Sequence, residues 1–304
     1  MEYKIVMRDS LNCLQSVLAS IAQTWKRNYH FMFMCSWDFN YSIDVNGERR
    51  VYSGSNDAKK NMNLFHNIVT TQCNVFEFIE IFEKEKGERS CGIIGVDTFF
   101  LPWSSFFQQA HYQHYVVVTD IRNSILSCID TFEYGKKGEL DLREDILIEY
   151  YKVRERTQND TIPCWGEFLH LISSHIMENK SISKMFEFSK QLFFQRERMD
   201  FLYDKNIDSN FVLYQIGELS KKRENMAFLC GMVNEIYKEN MLLELQEDMK
   251  KCAHIWKKIQ SMLALCIMMN AKEEYLFKAS CLIENVAEKE EKMIKKIEYC
   301  RNGK

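Results

Sequence analysis

Hydrophobic residues recur at helical spacing near the start of the chain. Between Leu11 and Trp25 the large apolar residues stand three or four positions apart, which is the period of one helix face. Asp9 or Ser10 precedes this pattern, and either can cap a helix. Cys13 then falls in the first turn, where free backbone N–H groups and the helix dipole favour a thiolate. Most isolated cysteines are half-buried thiols without chemistry, so a nucleophilic Cys13 requires a base elsewhere in the chain.

The next hydrophobic patterns predict shorter elements. Residues 30–41 are rich in aromatic side chains with partial alternation, which favours a strand or an extended segment against the core. Residues 45–48 include Asn-Gly, a turn signal because this pair tolerates positive φ. A helical pattern runs from Asn56 into the sixties, whereas residues 75–82 fit a strand or a helix equally well.

Three β-rich runs follow one another in the middle of the chain. They cover residues 91–97, 114–120 and 124–130, and each is apolar and ends in an aspartate. Residues 121–123 between the last two runs are short enough for a hairpin. The pattern therefore predicts a central sheet between about residues 90 and 131, antiparallel at least in part.

Helical periodicity replaces the β pattern beyond about residue 150. The predicted helices cover residues 165–177, 183–202, 211–237 and 241–299, with interruptions near residues 208–210 and Gly217. A chain of 304 residues usually forms more than one core. We therefore predict an α+β protein with two domains, residues 1–155 around the sheet and residues 156–304 as a helical domain.

Composition narrows the possible partners and compartment. Lysine and arginine number 40 against 43 acidic residues, a net charge of −3, so no basic field indicates nucleic acid. No segment is apolar for about 18 residues, and the N-terminus lacks a signal-peptide run, so we expect no membrane partner and a cytoplasmic location. The 11 cysteines include no C-x-x-C pair, which argues against a zinc ribbon or a thioredoxin-type site.

The sheet region supplies the groups that a cysteine nucleophile needs. His114 opens one β-rich run and Asp130 ends the next across a short hairpin, so the two side chains can lie side by side. Asp130 can then accept the imidazole N–H and orient the ring toward Cys13. Cysteine, histidine, then aspartate or asparagine is the order that papain-like enzymes use.

These residues and their neighbours resemble a known family. Cys13 at a helix start, the run over residues 96–103, and His111-x-x-His114-Tyr-Val-Val-Val followed by Asp130 resemble the butirosin-biosynthesis acyltransferase (BtrH-like) family. The resemblance covers roughly residues 9–131. That family looks like a papain-fold offshoot that moves acyl groups from carrier proteins onto amines, and the papain-like amide synthetase of closthioamide biosynthesis is similar in kind.

The resemblance implies a fold, a chemistry and partners. It implies a papain-like core, an N-terminal helix packed on an antiparallel sheet, with a large helical C-terminal domain that covers the substrate. Cys13 would be the nucleophile, His114 the general base and acid, and Asp130 the orienting group. The partners would be an acyl carrier protein or peptidyl carrier protein and an amine or diamine acceptor, in thiotemplated secondary-metabolite biosynthesis and without a cofactor.

The oxyanion hole departs from the papain-like pattern. Papain-like proteases place a glutamine upstream of the cysteine, and no glutamine occurs in residues 1–12. The backbone N–H of Cys13 can supply one donor. Asn12 or Gln15 is the candidate for the second donor.

Other side chains near the sheet are candidates for substrate contacts. Asp97 could meet a substrate amine, although a carboxylate at a strand end more often caps a turn. Trp103, Phe106 and Phe107 could line an acyl pocket, although aromatic residues after a strand are more often core.

His111 forms an H-x-x-H pair with His114. On a strand this spacing puts the two rings on opposite faces, and no third ligand is apparent. We therefore predict no metal site and treat His111 as a candidate substrate contact.

The predicted activity is acyl transfer in two steps, through a Cys13 acyl-enzyme that an amine then cleaves. One alternative is a papain-like cysteine peptidase or hydrolase, in which water is the acceptor. The other is a non-catalytic binding module on the same fold. The lack of a signal or pro-segment and the large helical domain favour transfer.

Overall fold

A computed structural model describes residues 2–43, 49–52, 58–84, 89–143, 146–156, 159–194, 199–203, 206–207 and 210–302. The chain divides into two compact units. Unit 1 comprises Met1–Met32 and Asp57–Ile162, and unit 2 comprises Phe33–Asn56 and Pro163–Lys304. The predicted order of a sheet region followed by a helical region is present, but residues 33–56, predicted in the first domain, belong to unit 2.

The described residues form the following elements. The helices are α1 (Cys13–Thr24), α2 (Ala58–His66), α3 (Val75–Lys84), α4 (Trp165–Glu178), α5 (Ser181–Phe194), α6 (Phe211–Tyr237), α7 (Asn240–Met268) and α8 (Glu273–Asn302). The strands are β1 (Asn40–Ile43), β2 (Arg49–Tyr52), β3 (Ile68–Cys73), β4 (Ser90–Asp97), β5 (Gln113–Arg122), β6 (Ile125–Asp130), β7 (Lys136–Asp141) and β8 (Leu147–Glu155). Short 3-10 helices lie at His30–Phe33, Thr98–Phe100 and Asp200–Leu202. None of the helices in this described part is both long and apolar enough to cross a membrane.

Unit 1 is built on a six-stranded sheet in the order β3-β8-β4-β5-β6-β7. Every neighbouring pair is antiparallel. Phe78 of α3 packs on one face of the sheet, in a buried cluster that includes Val96, Val116 and Val118. Helix α1 packs against β5. The protein is therefore α+β, with an antiparallel sheet and a helical C-terminal region, as predicted.

The three predicted strands are confirmed as β4, β5 and β6, and the hairpin turn lies at Asn123 and Ser124. Both turn residues have positive φ, 50° and 62°, which is the geometry of a tight two-residue hairpin. Strands β3, β7 and β8 were not predicted. The sheet thus extends on both sides of the predicted region, from residue 68 to residue 155.

Several local predictions need correction. Helix α1 is capped by Asn12 and not by Asp9 or Ser10. Residues 30–41 do not form a strand throughout. Phe31 lies in a 3-10 helix and its ring stacks on His66. Its backbone N–H donates to His66 Nε2 at 3.2 Å, so a histidine side chain, and not a neighbouring strand, accepts this hydrogen bond.

A capping box decides the structure of the segment that fitted a strand or a helix. Asn74 Oδ1 accepts the Glu77 N–H at 2.9 Å, and Glu77 Oε2 accepts the Asn74 N–H at 3.2 Å. This reciprocal pair is a helix start signal. The segment is accordingly α3. The predicted turn at residues 45–48 and the predicted helix start at Asn56 lie outside the described residues.

The helices of unit 2 pack in sequence, α6 on α7, α7 on α8 and α8 on α5. The predicted interruption at Gly217 is wrong because Gly217 lies inside α6. A Cβ on Gly217 would come within 2.6 Å of Gln260 Nε2 on α7, so the glycine permits close helix packing. Asn210 caps α6 by accepting the Leu213 N–H at 3.1 Å, while residues 208–209 lie outside the described part.

A buried polar network holds residues 33–56 within unit 2. Arg223 donates to both carboxylate oxygens of Glu290, at 2.9 and 2.8 Å, and neither side chain is exposed. Trp37 Nε1 donates to the same carboxylate at 2.8 Å. Arg223 also donates to the Asp38 carbonyl at 2.6 Å, and Lys222 pairs with the Asp38 carboxylate at 3.3 Å. These contacts explain why this segment belongs with the helices.

Candidate active site

Cys13 occupies the first position of α1, and its surroundings fix the helix start. Asn12 Oδ1 accepts the Gln15 N–H at 2.9 Å, and Gln15 Oε1 accepts the Asn12 N–H at 3.1 Å, which completes a capping box. Cys13 is a half-buried free thiol. Its backbone N–H has no acceptor within the helix because it lies in the first turn. The Cys13 N–H is thus not used by the helix, and its role as the first oxyanion donor stays a prediction.

The side chains of Asn12 and Gln15 use their oxygens in this capping box. The capping box does not use the NH₂ group of either side chain, and this NH₂ group is the part that could donate to an oxyanion. Gln15 is buried and Asn12 is half-buried. The second oxyanion donor stays a prediction for these two residues.

His114 lies between Cys13 and Asp130. His114 Nε2–H donates to Asp130 Oδ2 at 2.9 Å, and negative charge on Cys13 raises the pKa of the same imidazole. Because Nε2 faces the carboxylate, Nδ1 is the ring nitrogen left for the sulfur. Asp130 is completely buried and His114 is 8% exposed. The structure therefore brings together the three residues that the sequence predicts as a nucleophile, a base and an orienting group.

Asp130 is held by four hydrogen bonds. Besides His114, Oδ2 accepts the Trp103 indole N–H at 3.0 Å. Oδ1 accepts the N–H groups of Phe132 and Glu133 at 3.1 and 3.0 Å. Burial alone would raise the pKa of Asp130, but the hydrogen bond and charge of His114 and the other donors lower it. Asp130 is thus a fixed, ionised partner for the imidazole.

The electrostatics of this group favour a protonated His114. Burial alone would lower the pKa of His114, but the hydrogen bond with Asp130 and the negative charge of Asp130 and Cys13 outweigh burial. The pKa of His114 rises to about 10. At neutral pH the site therefore has an imidazolium beside the Cys13 sulfur, the arrangement that stabilises a thiolate.

Replacing Asp130 with asparagine should lower the pKa of His114, because the buried carboxylate that stabilises the imidazolium is removed. In the wild type, the imidazole signals of His114 in an NMR titration should change only near pH 10. The imidazolium–carboxylate pair should stabilise the fold above the lowered pKa of Asp130 and lose this effect as pH rises through about 10. The difference in unfolding free energy between wild type and Asp130→Asn should therefore shrink as pH rises through about 10. A wild-type His114 that titrates near pH 6.5 would contradict this assignment.

The structure gives Trp103 a role that the sequence did not predict. Its indole N–H meets the Asp130 carboxylate, and its ring packs on Gly138 of β7. A Cβ at Gly138 would lie 2.1 Å from Trp103 Cζ3, so only glycine leaves room for the ring. Trp103 is therefore a positioning residue for Asp130, and its predicted place in an acyl pocket stays a prediction.

Replacing Trp103 with phenylalanine keeps a ring but removes the N–H donor. We expect roughly tenfold slower acylation of Cys13, the effect of losing one hydrogen bond to a charged group. The acid limb of the pH–rate profile should also move to higher pH, because the Trp103 hydrogen bond helps to lower the pKa of Asp130. Gly138→Ala, which displaces the ring, should shift the profile in the same direction. Unchanged profiles in both variants would show that Trp103 only fills space.

Asp97 and His111 form a second histidine–aspartate pair. Asp97 Oδ1 accepts the Phe99 N–H at 3.0 Å and so caps a turn, while Oδ2 lies 2.7 Å from His111 Nδ1. The His111 ring stacks on Phe99 at 4.3 Å between centroids. His111 precedes β5 and does not share that strand with His114, so the argument from strand faces does not apply to this pair. Its side chain is 65% exposed and does not contact the Cys13 group.

Phe106 and Phe107 lie in the turn region between β4 and β5. Phe106 is 45% exposed and meets Tyr112 edge to face at 5.0 Å, so it is not a core residue. Phe107 is half-buried. Contact of either ring with an acyl chain stays a prediction.

The sequence did not predict the group of polar side chains on the sheet face opposite His114, which includes Tyr115, Glu149 and Tyr151. Alternation along β5 would have placed Tyr115 on the face opposite His114. Glu149 and Tyr151 lie on β8, which was not predicted, so their positions were not available from the pattern.

No protein-family model matches the chain, and no curated protein sequence matches it significantly.

Proposed function

We propose that this protein is a cysteine-dependent acyltransferase that moves an acyl or peptidyl group from a carrier-protein thioester onto an amine. The observation that supports it is the buried hydrogen-bonded pair of His114 and Asp130 beside Cys13 at a helix start. The proposal includes a papain-like core, in which α1 and the antiparallel sheet have the roles that they have in papain-like enzymes. It also includes the resemblance to the butirosin-biosynthesis acyltransferases.

The first step is acylation of the cysteine. The Cys13 thiolate attacks the thioester carbonyl carbon, and the negative charge on the carbonyl oxygen is met by the Cys13 backbone N–H. The C–S bond to the carrier then breaks, and the departing thiolate takes the proton from the His114 imidazolium. The products are a Cys13 thioester, a free carrier thiol and a neutral His114.

The second step transfers the acyl group. A neutral amine attacks the carbonyl carbon of the Cys13 thioester while His114 accepts the proton that the amine nitrogen loses. The C–S bond to Cys13 breaks and an amide forms. This restores the thiolate and the imidazolium, so Asp130 meets the same charged ring at the start and end of the cycle.

Water is the competing acceptor, and the same three residues would support hydrolysis. The proposal therefore predicts how much of the acyl-enzyme reacts with an amine to give amide and how much reacts with water to give free acid. With an S-acyl N-acetylcysteamine thioester as donor, added 1,4-diaminobutane should convert most of the acyl group to amide, quantified by liquid chromatography and mass spectrometry. Free acid as the main product at all amine concentrations would favour a hydrolase. No thioester consumption above the rate without protein would favour a binding module.

A further inference from the structure

A row of three residues crosses the sheet beside the candidate active site. Glu149 on β8 and Tyr115 on β5 both lie opposite Gly95 on β4. Because Gly95 has no side chain, the Tyr115 hydroxyl reaches across it and donates to Glu149 Oε2 at 2.6 Å. A Cβ on Gly95 would lie 3.3 Å from both Glu149 Cβ and a Tyr115 ring carbon. The glycine therefore makes room for this pairing.

Glu149 forms no direct ion pair within the part of the chain that the structure describes. The Tyr151 hydroxyl donates to the same oxygen, Oε2, at 2.8 Å. Among the described residues, Oε1 has no hydrogen-bond donor and Glu149 forms no ion pair. Lys59 reaches the group only through Tyr151, whose hydroxyl its Nζ contacts at 2.9 Å. Glu149 as a residue is half-buried and not enclosed in the core.

This group faces away from Phe78. Tyr150 meets the Phe78 ring, so its neighbours Glu149 and Tyr151 point to the opposite face of the sheet. Tyr115 points the same way because the adjacent Val116 lies in the Phe78 cluster. The rings of Tyr115 and Tyr151 are 6.4 Å apart, so the two tyrosines flank the carboxylate on one face.

Tyr115 lies on a strand that contacts the helix beginning at Cys13. Helix α1, which begins at Cys13, packs against β5, and Tyr115 directly follows His114 on that strand. Burial and the hydrogen bond to Glu149 raise the pKa of Tyr115, and negative charge on Cys13 raises it further.

We infer that Glu149, flanked by Tyr115 and Tyr151, binds a cationic group of the acceptor amine. The attacking nitrogen must be neutral, and a carboxylate paired with it would keep it protonated. The cation held by Glu149 is therefore the distal ammonium of a diamine, while the amine at the other end attacks the Cys13 thioester. Lys59 Nζ lies 4.1 Å from the Tyr151 ring centroid, so this ring already contacts one ammonium.

The role of Glu149 in the reaction rests on the proposed acyltransferase function. Binding of a diamine to Glu149 can be measured whether or not the protein transfers acyl groups. Binding of 1,4-diaminobutane is measured by calorimetry on Cys13→Ser protein, which cannot turn over. Adding Glu149→Gln should weaken binding about tenfold to a hundredfold, the range for a lost charged hydrogen bond. Adding Glu139→Gln, at an exposed carboxylate on β7, should leave it unchanged.

The kinetic arm uses the intact Cys13 protein. Glu149→Gln should lower kcat/KM for 1,4-diaminobutane by a similar factor, while the rate of acyl-enzyme formation and kcat/KM for butylamine change less than about threefold. Equal losses for both amines, or no loss for either, would overturn the inference and leave the acyltransferase function intact. Glu149-dependent diamine binding without any acyl transfer would support the inference and contradict the proposed function. No diamine binding would overturn the inference.

Discussion

Alanine in place of His114 is expected to slow acylation of Cys13 by a thioester about 10³-fold, in the middle of the range for general acid–base catalysis. The imidazolium that stabilises the thiolate and protonates the leaving thiol is lost in one substitution. Asp130 would also remain buried without the partner that it contacts at 2.9 Å. The measurement is a single-turnover rate with an S-acyl N-acetylcysteamine thioester, followed by the mass of the protein.

The chain supplies a matched control for this experiment. His111 also pairs with an aspartate, but its side chain is 65% exposed and it lies before β5. His111→Ala should therefore retain the wild-type acylation rate within about threefold, as expected for an exposed pair that contributes little. Comparable losses in the two variants would contradict the assignment of His114 as the base.

The largest loss of stability is expected when Glu290 is replaced with glutamine in unit 2. Arg223 would keep its charge in a completely buried site without a counter-charge. Breaking a buried pair in this way costs about 3–5 kcal/mol. Trp37 and the Asp38 carbonyl share the network, so residues 33–56 should also lose their attachment to the helices. Urea unfolding followed by helical circular dichroism measures the change.

Two further variants separate charge burial from simple contact loss. Glu291→Gln removes the partner of Lys295 in an exposed pair at 2.8 Å and should cost less than about 1 kcal/mol. The double change Arg223→Met with Glu290→Met removes both buried charges and should recover most of the stability lost by Glu290→Gln. A cost below about 1 kcal/mol for Glu290→Gln would show that water reaches the Arg223 guanidinium after the change.

The three candidate catalytic residues could be placed from sequence because each depends on local patterns. Helical spacing after Cys13 puts it in a first turn, and two β-rich runs joined by a short turn put His114 next to Asp130. Their contacts are in the structure, while their catalytic roles stay predictions. The cap was misplaced because several polar residues precede the helix, and only the geometry of Asn12 selects among them.

The missed features depend on contacts between residues distant in sequence. Trp103 reaches Asp130 only because Gly138 of β7 leaves space for its ring, and β7 has charged residues that hide its strand pattern. Glu149 faces Tyr115 only because β8 inserts between β3 and β4. Lys152 and Arg154 on β8 weaken the apolar alternation that would have indicated a strand. Residues 33–56 join unit 2 through Glu290, and no local pattern indicates a partner so far along the chain.

The proposed mechanism requires Cys13 to be the nucleophile. The protein contains 11 cysteines, so a mass increment must be assigned to a residue. After incubation with an S-acyl N-acetylcysteamine thioester, intact-mass spectrometry with peptide mapping should find one acyl group, on Cys13, and none in Cys13→Ala. An acyl group on another cysteine, or full transfer activity in Cys13→Ala, would contradict the account.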